Sequence, residues 1–544
     1  MRKWWPLAAV CLGAFILLVD VTIVNVALPT MADELHADFA SLQWVVDGYA
    51  LALAALLLAS GALADHFGHR RLYVYGLVVF AAASLACGLA PNAGLLVAAR
   101  VVQGAGGAAM FATAPALLLT SYQGRDRGTA FGVWGAANGA AAAAGPLLGG
   151  LLTEHLGWAS IFLVNLPVAA IAVTLTLRVV RRDAIRPPGA GERPVRVDVP
   201  GAAAFTVAAG ALTYALIRGG ETGWTSGQVL GVFGVTALAL VVFVLVERRA
   251  AHRGRAPMLD LALLRRPSFA GLMGGAFLLQ GGAFGSLVLV SLWLQSVLRL
   301  SPVAAGLALT PLAAASFLVA AFAGRHMQRL APRLPVGVGL LCVAAGMLLL
   351  RSGMSADAGR GSLVAGLLVT GVGVGLATPV LVSAATSTVP PRQAGMAGGA
   401  VNTFRQLGMT LAIAVLGVVF THRAAAVLGA SGAVPDARDG AAALAAGQAQ
   451  RLVAGAPPEH RGAAGDLVRH AFASGLDQVF LWSAVAAALA GVLVLLLVRP
   501  ERTPPGTAPA AGDIDVPAQA REPAAARTAP APAAAADGER PAGT

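Results

Sequence analysis

The sequence has almost no lysine and little charge of any kind. Lys3 is the only lysine among 544 residues, and charged residues make up 12% of the chain. A soluble domain carries about 25% charged residues, so the composition excludes an ordinary soluble fold. It also excludes a P-loop, because that phosphate-binding motif needs a lysine after its glycines. We therefore predict that the protein does not use ATP directly.

Cysteine is nearly as scarce as lysine. Cys11, Cys87 and Cys342 all lie inside apolar runs, so no disulfide framework is indicated. The motifs C-x-x-C, H-E-x-x-H and G-x-S-x-G are absent as well. The enzymatic alternative, a polytopic membrane transferase, needs acidic and polar residues collected at one membrane face, and the sequence has no such group. We predict no metal, no cofactor and no enzymatic activity.

Apolar residues, in contrast, make up 57% of the sequence, at a mean hydropathy of +0.75. An apolar helix of about 20 residues is long enough to cross a bilayer. Fourteen runs of about that length lie at 5–28, 42–64, 72–90, 94–120, 128–152, 158–178, 199–218, 227–246, 268–294, 302–323, 334–351, 361–386, 395–420 and 475–498. We predict an all-α polytopic membrane protein with fourteen transmembrane helices.

The arginines lie mostly in alternate loops between these runs. The other short loops hold only Arg218, Arg299, Arg351 and Arg360. Because cytoplasmic loops carry the excess of arginine and lysine, this asymmetry predicts cytoplasmic N- and C-termini in the inner (cytoplasmic) membrane of the cell. The net charge of +12 then reflects membrane topology, and we predict no binding of nucleic acid.

A faint internal repeat divides the chain. The stretch 61–76 is similar in its glycines and arginines to 324–339, and 128–132 resembles 395–399. Related halves are typical of secondary transporters. The predicted domains are a six-helix bundle at 1–178, a basic connector with inserted spans 7 and 8 at 179–267, a second six-helix bundle at 268–498 with a long external loop at 421–474, and a disordered cytoplasmic tail at 499–544.

Three charged residues lie inside the first, second and fourth spans: Asp20, Asp47 and Arg100. At 1.5 Å per residue, Asp20 lies about 22 Å above the inner face, and Arg100 and Asp47 lie about 9 and 8 Å below the outer face. All three fall in one layer of the outer half, which predicts an Asp–Arg–Asp cluster. The alternatives are an Asp20 that reaches headgroup water and an Arg100 that extends to the outer interface.

The loop between spans 2 and 3 contains Gly61, Asp65, Gly68, Arg70 and Arg71 at a regular spacing. A glycine permits close helix approach, an aspartate can occupy a helix N-terminus, and arginines pair with acids or lipid phosphate. The alternative is an ordinary positive-inside loop. In the second copy of this loop Gln328 stands near the position of the acid.

Span 5 contains a second glycine-rich motif, Gly145-Pro146-Leu147-Leu148-Gly149-Gly150. Its glycines favour tight helix packing, and Pro146 removes one backbone hydrogen bond and bends the helix. Small residues suit any membrane helix interface, so this motif alone is only moderately specific.

Together with Asp20-x-Thr22-x-x-Asn25-x-Ala27-Leu28-Pro29 in span 1 and the segment around Arg100, these motifs resemble those of the major facilitator superfamily. With fourteen spans, residues 5–498 resemble its fourteen-span drug:proton antiporter family. The resemblance implies two six-helix bundles with two inserted helices, alternating access, and proton-coupled export of drugs or other amphipathic molecules. The alternative is export of a specific endogenous metabolite or of a self-made antibiotic.

The resemblance also assigns roles to the motifs. It implies that Arg100 takes part in proton coupling, that the loop after span 2 is a gate, and that span 5 carries an antiporter motif. From its place inside an apolar span we predict that Asp20 takes up and releases the proton. Asp47 either carries a second proton or attracts cationic substrates. Ala141 replaces the leading glycine of the usual antiporter pattern. The partners it implies are a small amphipathic substrate, protons and the lipid bilayer, and we expect a monomer.

Polar and aromatic residues inside the spans are candidates for the substrate cavity. They are Asn25, Gln103, Trp134, Gln280, Asn402 and Arg405. Spans 9 to 13 contain no aspartate or glutamate. Arg405 has two possible roles on these grounds, lining the cavity or pairing with helix carbonyls as a structural arginine.

Overall fold

The structure is a computed structural model that describes residues 2–37, 39–180, 198–252, 258–327, 330–390, 393–431 and 436–499. Within these ranges every regular element is a helix. The predicted disordered tail after residue 499, most of the basic connector, and Gln328 lie outside the described residues. So do the side chains of Asn25 and Pro146.

The helices follow one another with short connections. The helices before residue 253 are α1 Trp5–Glu34, α2 Phe39–Phe67, α3 His69–Gly88, α4 Ala93–Ser121, α5 Gly124–Leu156, α6 Ser160–Leu163, α7 Asn165–Val179, α8 Val199–Thr222 and α9 Gly227–His252. The later helices are α10 Leu261–Leu264, α11 Pro267–Leu292, α12 Pro302–His326, α13 Arg333–Ser352, α14 Val364–Ser387, α15 Ala394–Ser431, α16 Ala437–Ala445, α17 Ala449–Ala454 and α18 Arg461–Leu497.

The predicted all-α polytopic fold is confirmed. In the part of the chain that the structure describes, 13 helical segments are long and apolar enough to cross a membrane. The helix α5, predicted as the fifth span, is not among them, although its 33 residues pack along α1 and α12.

The helices form two bundles, which we name by their position in the chain. In the N-terminal bundle α1 packs on α5 and α7, and α4 packs on α2 and α3. In the C-terminal bundle α13 packs on α14 and α18, and α11 packs on α15 and α18. The bundles meet along α2 with α15 and along α5 with α12. The inserted helices α8 and α9 pack on each other, with α8 against α2.

The predicted helix ends differ from the structure at several places. The predicted external loop at 421–474 is largely helical, because α15 continues to Ser431 and α18 begins at Arg461. These segments are rich in alanine, which favours helix whatever the hydropathy, so helices extend beyond the apolar runs. The helix α1 also continues past the predicted end at 28 to Glu34. Span 6 is divided into α6 and α7 at Val164.

Candidate functional site

A buried ion pair lies inside the N-terminal bundle. Asp20 of α1 is 0% exposed and Arg100 of α4 is 1% exposed, and the guanidinium Nη1 donates to the Asp20 carboxylate. Neither side chain reaches the surface, so the alternatives in which they extend to headgroup water are wrong. Burying two charges is costly unless further hydrogen bonds satisfy the remaining atoms.

Those further hydrogen bonds come from Gln103 of α4 and Asn165 of α7. Gln103 Nε2 and Asn165 Nδ2 donate to Asp20 Oδ1 at 2.9 and 3.0 Å. Gln103 Nε2 and Asn165 Nδ2 also lie 2.8 and 3.3 Å from Ser84 Oγ of α3. The Gln103 carbonyl accepts from Arg100 Nη1 at 2.7 Å. We name these five residues the Asp20 cluster. It joins α1, α4 and α7 at the Asp20 carboxylate, and it joins α3 through Ser84, which the amides of Gln103 and Asn165 contact.

The other side of the Arg100 guanidinium faces α2 and α6. Its Nε donates to the Val45 carbonyl at 3.0 Å, and its Cζ lies 4.1 Å from the Tyr49 ring centroid and 5.7 Å from that of Phe162. A cation over an aromatic face is attracted by the ring quadrupole. The arginine is therefore fixed by an acid on one side and aromatic rings on the other.

Sequence reasoning placed some residues of this cluster and missed others. Gln103, predicted for the substrate cavity, is 0% exposed and belongs to the Asp20 cluster. Ser84 and Asn165 were missed, although polar residues inside apolar spans are costly and therefore a usable signal. Asp47 lies half-buried on α2, two residues after Val45, and its part in coupling stays a prediction.

Asp65, near the end of α2, joins the two bundles. Its Oδ1 and Oδ2 accept hydrogen bonds from the backbone N–H groups of Gly395 and Met396, both at 2.7 Å, and His69 Nε2 lies 3.0 Å from Oδ1. These N–H groups belong to the first turn of α15, where the helix dipole favours a negative charge. We name this contact the latch.

The glycines and Arg70 of the same loop shape the latch. A Cβ atom at Gly61 would lie 3.1 Å from Gly399 Cα, so only glycine permits this approach of α2 to α15. Gly68 has a φ of 96° between α2 and α3, a conformation that favours glycine. Arg70 donates to the Thr176 and Leu177 carbonyls at 3.4 and 2.5 Å near the C-terminal end of α7. Arg71 is exposed.

The glycines of span 5 allow α5 to fit between the two bundles. A Cβ atom at Gly145 would fall onto Thr22 Oγ1 of α1 and lie 3.3 Å from the Val19 carbonyl oxygen. Gly149 is buried, and a Cβ atom at Gly150 would lie 3.2 Å from Val303 Cγ2 of α12. The motif thus lies where α5 contacts α1 on one side and α12 on the other.

The other predicted cavity residues gather where the bundles meet. Asn402 Nδ2 of α15 donates to the Phe111 carbonyl of α4 at 2.9 Å. Arg405 donates to Gln280 Oε1 of α11 at 3.2 and 3.1 Å through Nε and Nη2. Trp134 is 0% exposed, with its ring centroid 6.2 Å from that of Phe111. Three of the six predicted residues, Asn402, Arg405 and Trp134, therefore contact Phe111, and Gln280 is joined to them through Arg405.

A separate cavity of about 250 Å³ lies between α5, α14 and residues Met327, Leu330 and Pro332, which connect α12 to α13. Its lining includes Arg127, Phe131, Pro379 and Ser387. Phe131 makes an edge-to-face contact with Trp134 at 6.3 Å, so this cavity adjoins the residues around Phe111.

Two helical bundles that are joined by a latch, one of which encloses a buried ion pair, define a polytopic membrane protein of the secondary transporter class. The chain belongs to the Major Facilitator Superfamily, whose family model matches residues 10–413. The resemblance to that superfamily is confirmed.

Relatives and solved structures agree with this assignment. The chain is 36% identical to the multidrug resistance protein Stp of Mycobacterium tuberculosis, over 78% of this chain and 76% of that protein. It is 34% identical to the tetracenomycin C resistance and export protein of Streptomyces glaucescens, over 92% of each. The fold is similar to that of the human organic anion transporter MFSD10 (TETRAN), with a TM-score of 0.57 and 15% identity over 90% of this chain and 99% of that one.

Proposed function

We propose that the protein is a proton-coupled antiporter that exports drugs or other amphipathic small molecules across the cytoplasmic membrane by alternating access. The observation that carries this proposal is the fully buried Asp20–Arg100 ion pair, because a carboxylate deep inside a membrane bundle usually has a transport task. The names of the relatives, which are drug resistance and export proteins, support the substrate class.

In the proposed mechanism Asp20 takes up and releases a proton. While Asp20 is ionised, Arg100 and the amides of Gln103 and Asn165 hold its carboxylate and tie α1 to α4 and α7. Protonation removes the charge attraction and loosens this contact. Asp47, on the helix that supplies the Val45 carbonyl to Arg100, is the second acid.

The gate in this proposal is the latch. Asp65 closes the end of the molecule at which α2 meets α15, and Gly61, Gly68, Arg70 and Arg71 are the other proposed members of this gating loop. This closure must open whenever that end releases or admits substrate. The antiporter motif, Gly145, Pro146, Gly149 and Gly150, sets how closely α5 approaches α1 and α12 as the bundles rock.

The remaining properties are proposed together. The substrate cavity includes Asn25, Gln103, Trp134, Gln280, Asn402 and Arg405. The protein works as a monomer with both termini in the cytoplasm, uses the proton gradient and no cofactor, and carries out no enzymatic reaction. The predicted domain division, 1–178 and 268–498 around the inserted helices, describes the two bundles that move.

The second candidate is export of one self-made antibiotic. It is favoured by the relative from Streptomyces glaucescens, which is both a resistance and an export protein and matches 92% of this chain.

Inverted membrane vesicles test the proposal. Compounds are added to energised vesicles that contain the protein, and proton release from the lumen is followed with a pH-sensitive dye. Several unrelated amphipathic compounds should each release protons, whereas vesicles without the protein should not respond. Response to a single compound would favour the second candidate, and compound uptake without proton release would contradict antiport.

A further inference from the structure

Arg405 is a cation with no carboxylate partner in the middle of the protein. Its hydrogen bonds go to Gln280 Oε1 and, at 3.4 Å, to Asn402 Oδ1. Both acceptors are neutral amide oxygens, and no carboxylate pairs with Arg405 among the residues that the structure describes. Spans 9 to 13 supply no acid that can neutralise it. Asp20, in the other bundle, is already paired with Arg100.

The position of Arg405 makes this charge costly. It is the twelfth residue of α15, about 16 Å from the first turn, and it lies partly buried between α4, α11 and α15. An unpaired cation in such a place is normally neutralised by a partner. A guanidinium also carries more N–H donors than its three hydrogen bonds use, so it has donors left for an anion.

The neighbourhood of Arg405 is aromatic and has further unused donors. Its guanidinium Cζ lies 5.9 Å from the Phe111 ring centroid. Trp134 Nε1, next to Phe111, is a buried donor with no hydrogen-bond partner, and the side-chain amide of Asn138, one turn further along α5, is buried without a partner as well. A flat ring with an oxygen anion or carbonyl would stack on these rings and accept from these donors.

A second arginine, Arg127, lines the cavity that adjoins the residues around Phe111. Arg127 lines the 250 Å³ cavity and makes one described hydrogen bond, from Nε to the Tyr122 carbonyl at 3.3 Å. Arg127, Phe131, Trp134 and Asn138 recur on α5 at a spacing that places them on one face. A cation therefore lines the cavity, and the rings of Phe131, Trp134 and Phe111 lie between the cavity and Arg405.

We infer that this site binds aromatic substrates through an ionised acidic group, a carboxylate or a phenolate, with Arg405 as its counter-charge and Arg127 attracting it at the cavity. This inference rests on the proposed function as an exporter and adds the charge of the substrate. It is independent of the proton mechanism, because binding to Arg405 needs no proton gradient.

Two dyes that share a xanthene ring system and differ in charge test the inference. Fluorescein is anionic at neutral pH and rhodamine 123 is cationic. Binding of each dye to the purified protein in detergent is measured by fluorescence anisotropy at one fixed pH, without any gradient. We expect the wild-type protein to bind fluorescein more tightly than rhodamine 123.

The variants separate charge from shape. Arg405→Gln should weaken fluorescein binding about tenfold or more, because a charge-assisted hydrogen bond is lost, and should leave rhodamine 123 binding equal or tighter. Arg405→Lys should retain most of the preference. Arg360→Gln, at an exposed arginine in the turn before α14, is the matched control and should change neither dye.

Two results would overturn the inference: tighter binding of rhodamine 123 than of fluorescein by the wild-type protein, or an equal loss of both dyes in Arg405→Gln. Retained rhodamine 123 binding by Arg405→Gln verifies that this variant is folded. A failure of proton release in vesicles with an intact fluorescein preference would reject the antiport proposal alone, so the two failures are distinguishable.

Discussion

The two deeply placed arginines of the molecule are held in opposite ways. In the N-terminal bundle Arg100 meets a carboxylate, and the amides and hydroxyl around the pair complete its hydrogen bonds. In the C-terminal bundle the partners of Arg405, among the residues that the structure describes, are amide oxygens and an aromatic ring. In the proposed mechanism the Asp20–Arg100 pair changes when a proton arrives. In the proposed binding site Arg405 supplies the positive charge for an anion.

On the basis of this difference we propose separate tasks for the two bundles. A charge pair that a proton can break suits energy coupling, whereas a cation beside unused donors suits substrate binding. Coupling then requires that the bundles influence each other. The Asn402 hydrogen bond to the Phe111 carbonyl and the latch are two places at which they touch.

The largest expected effect contrasts the two arginines directly. Arg100→Gln should lower the free energy of unfolding by about 3–5 kcal/mol, because it leaves the Asp20 carboxylate buried without its counter-charge. Arg405→Gln should cost only about 1–2 kcal/mol, because its partners are neutral amides. Chemical unfolding of the purified variants in detergent measures both, and equal losses would break the comparison.

A double variant serves as the control for that contrast. Asp20→Asn combined with Arg100→Gln removes both charges, so it should regain most of the stability that Arg100→Gln loses. It should not regain proton-driven transport. A double variant as unstable as Arg100→Gln would mean that shape, not charge, decides the cost.

A smaller effect is expected at the latch, which joins the two regions. Asp65→Asn removes the negative charge that meets the first turn of α15, a contact worth about 1.5–3 kcal/mol. Transport should fall about tenfold at an unchanged amount of folded protein, and a cysteine at the cavity-lining position, Ala384→Cys, should react faster with thiol reagents in this background.

The matched control for the latch is Asp126→Asn, because Asp126 pairs with Lys3 at an exposed site. It should change neither the transport rate nor the labelling. Equal loss of folded protein and activity in Asp65→Asn would indicate a structural loop without a gating role.

The smallest effect is expected where α5 approaches α1, next to Asp20 in the chain. Gly145→Ala places a methyl group on Thr22 Oγ1 and should destabilise the protein by about 1–2 kcal/mol through overpacking. Adding Thr22→Ala should relieve most of this loss. Thermal unfolding compares the three proteins, and a loss that Thr22→Ala leaves unchanged would contradict the assigned contact.

Sequence reasoning predicted most where only the length of a span, or the depth of a residue along it, matters. The 13 apolar helices follow from the length of the apolar runs, and the meeting of Asp20 with Arg100 follows from counting residues from the ends of two spans. Ser84 and Asn165 could not be placed beside them in the same way, because their direction depends on how α3 and α7 rotate in the bundle. A polar residue in an apolar span does not indicate how its helix is rotated about its own axis.

The latch was harder to predict for a different reason. The partners of Asp65 are the backbone N–H groups of Gly395 and Met396, more than three hundred positions later in the chain. Backbone donors have no side-chain signal, so the sequence can indicate a helix N-terminus as a partner but cannot indicate which one. Likewise, the C-terminal end of α15 and the N-terminal end of α18 are rich in alanine and lie beyond the apolar runs. Hydropathy therefore did not indicate that they are helical.

The central claim is that Asp20 carries the transported proton, and Asp20→Asn tests it most directly. Proton release and substrate movement are measured in the same inverted vesicles, with Asp477→Asn as the control because Asp477 forms a partly exposed pair with Arg351 in the other bundle. The asparagine cannot cycle a proton, so substrate should cause no proton release while exchange of substrate down its own gradient persists. Proton-driven transport at the wild-type rate by Asp20→Asn would contradict the account.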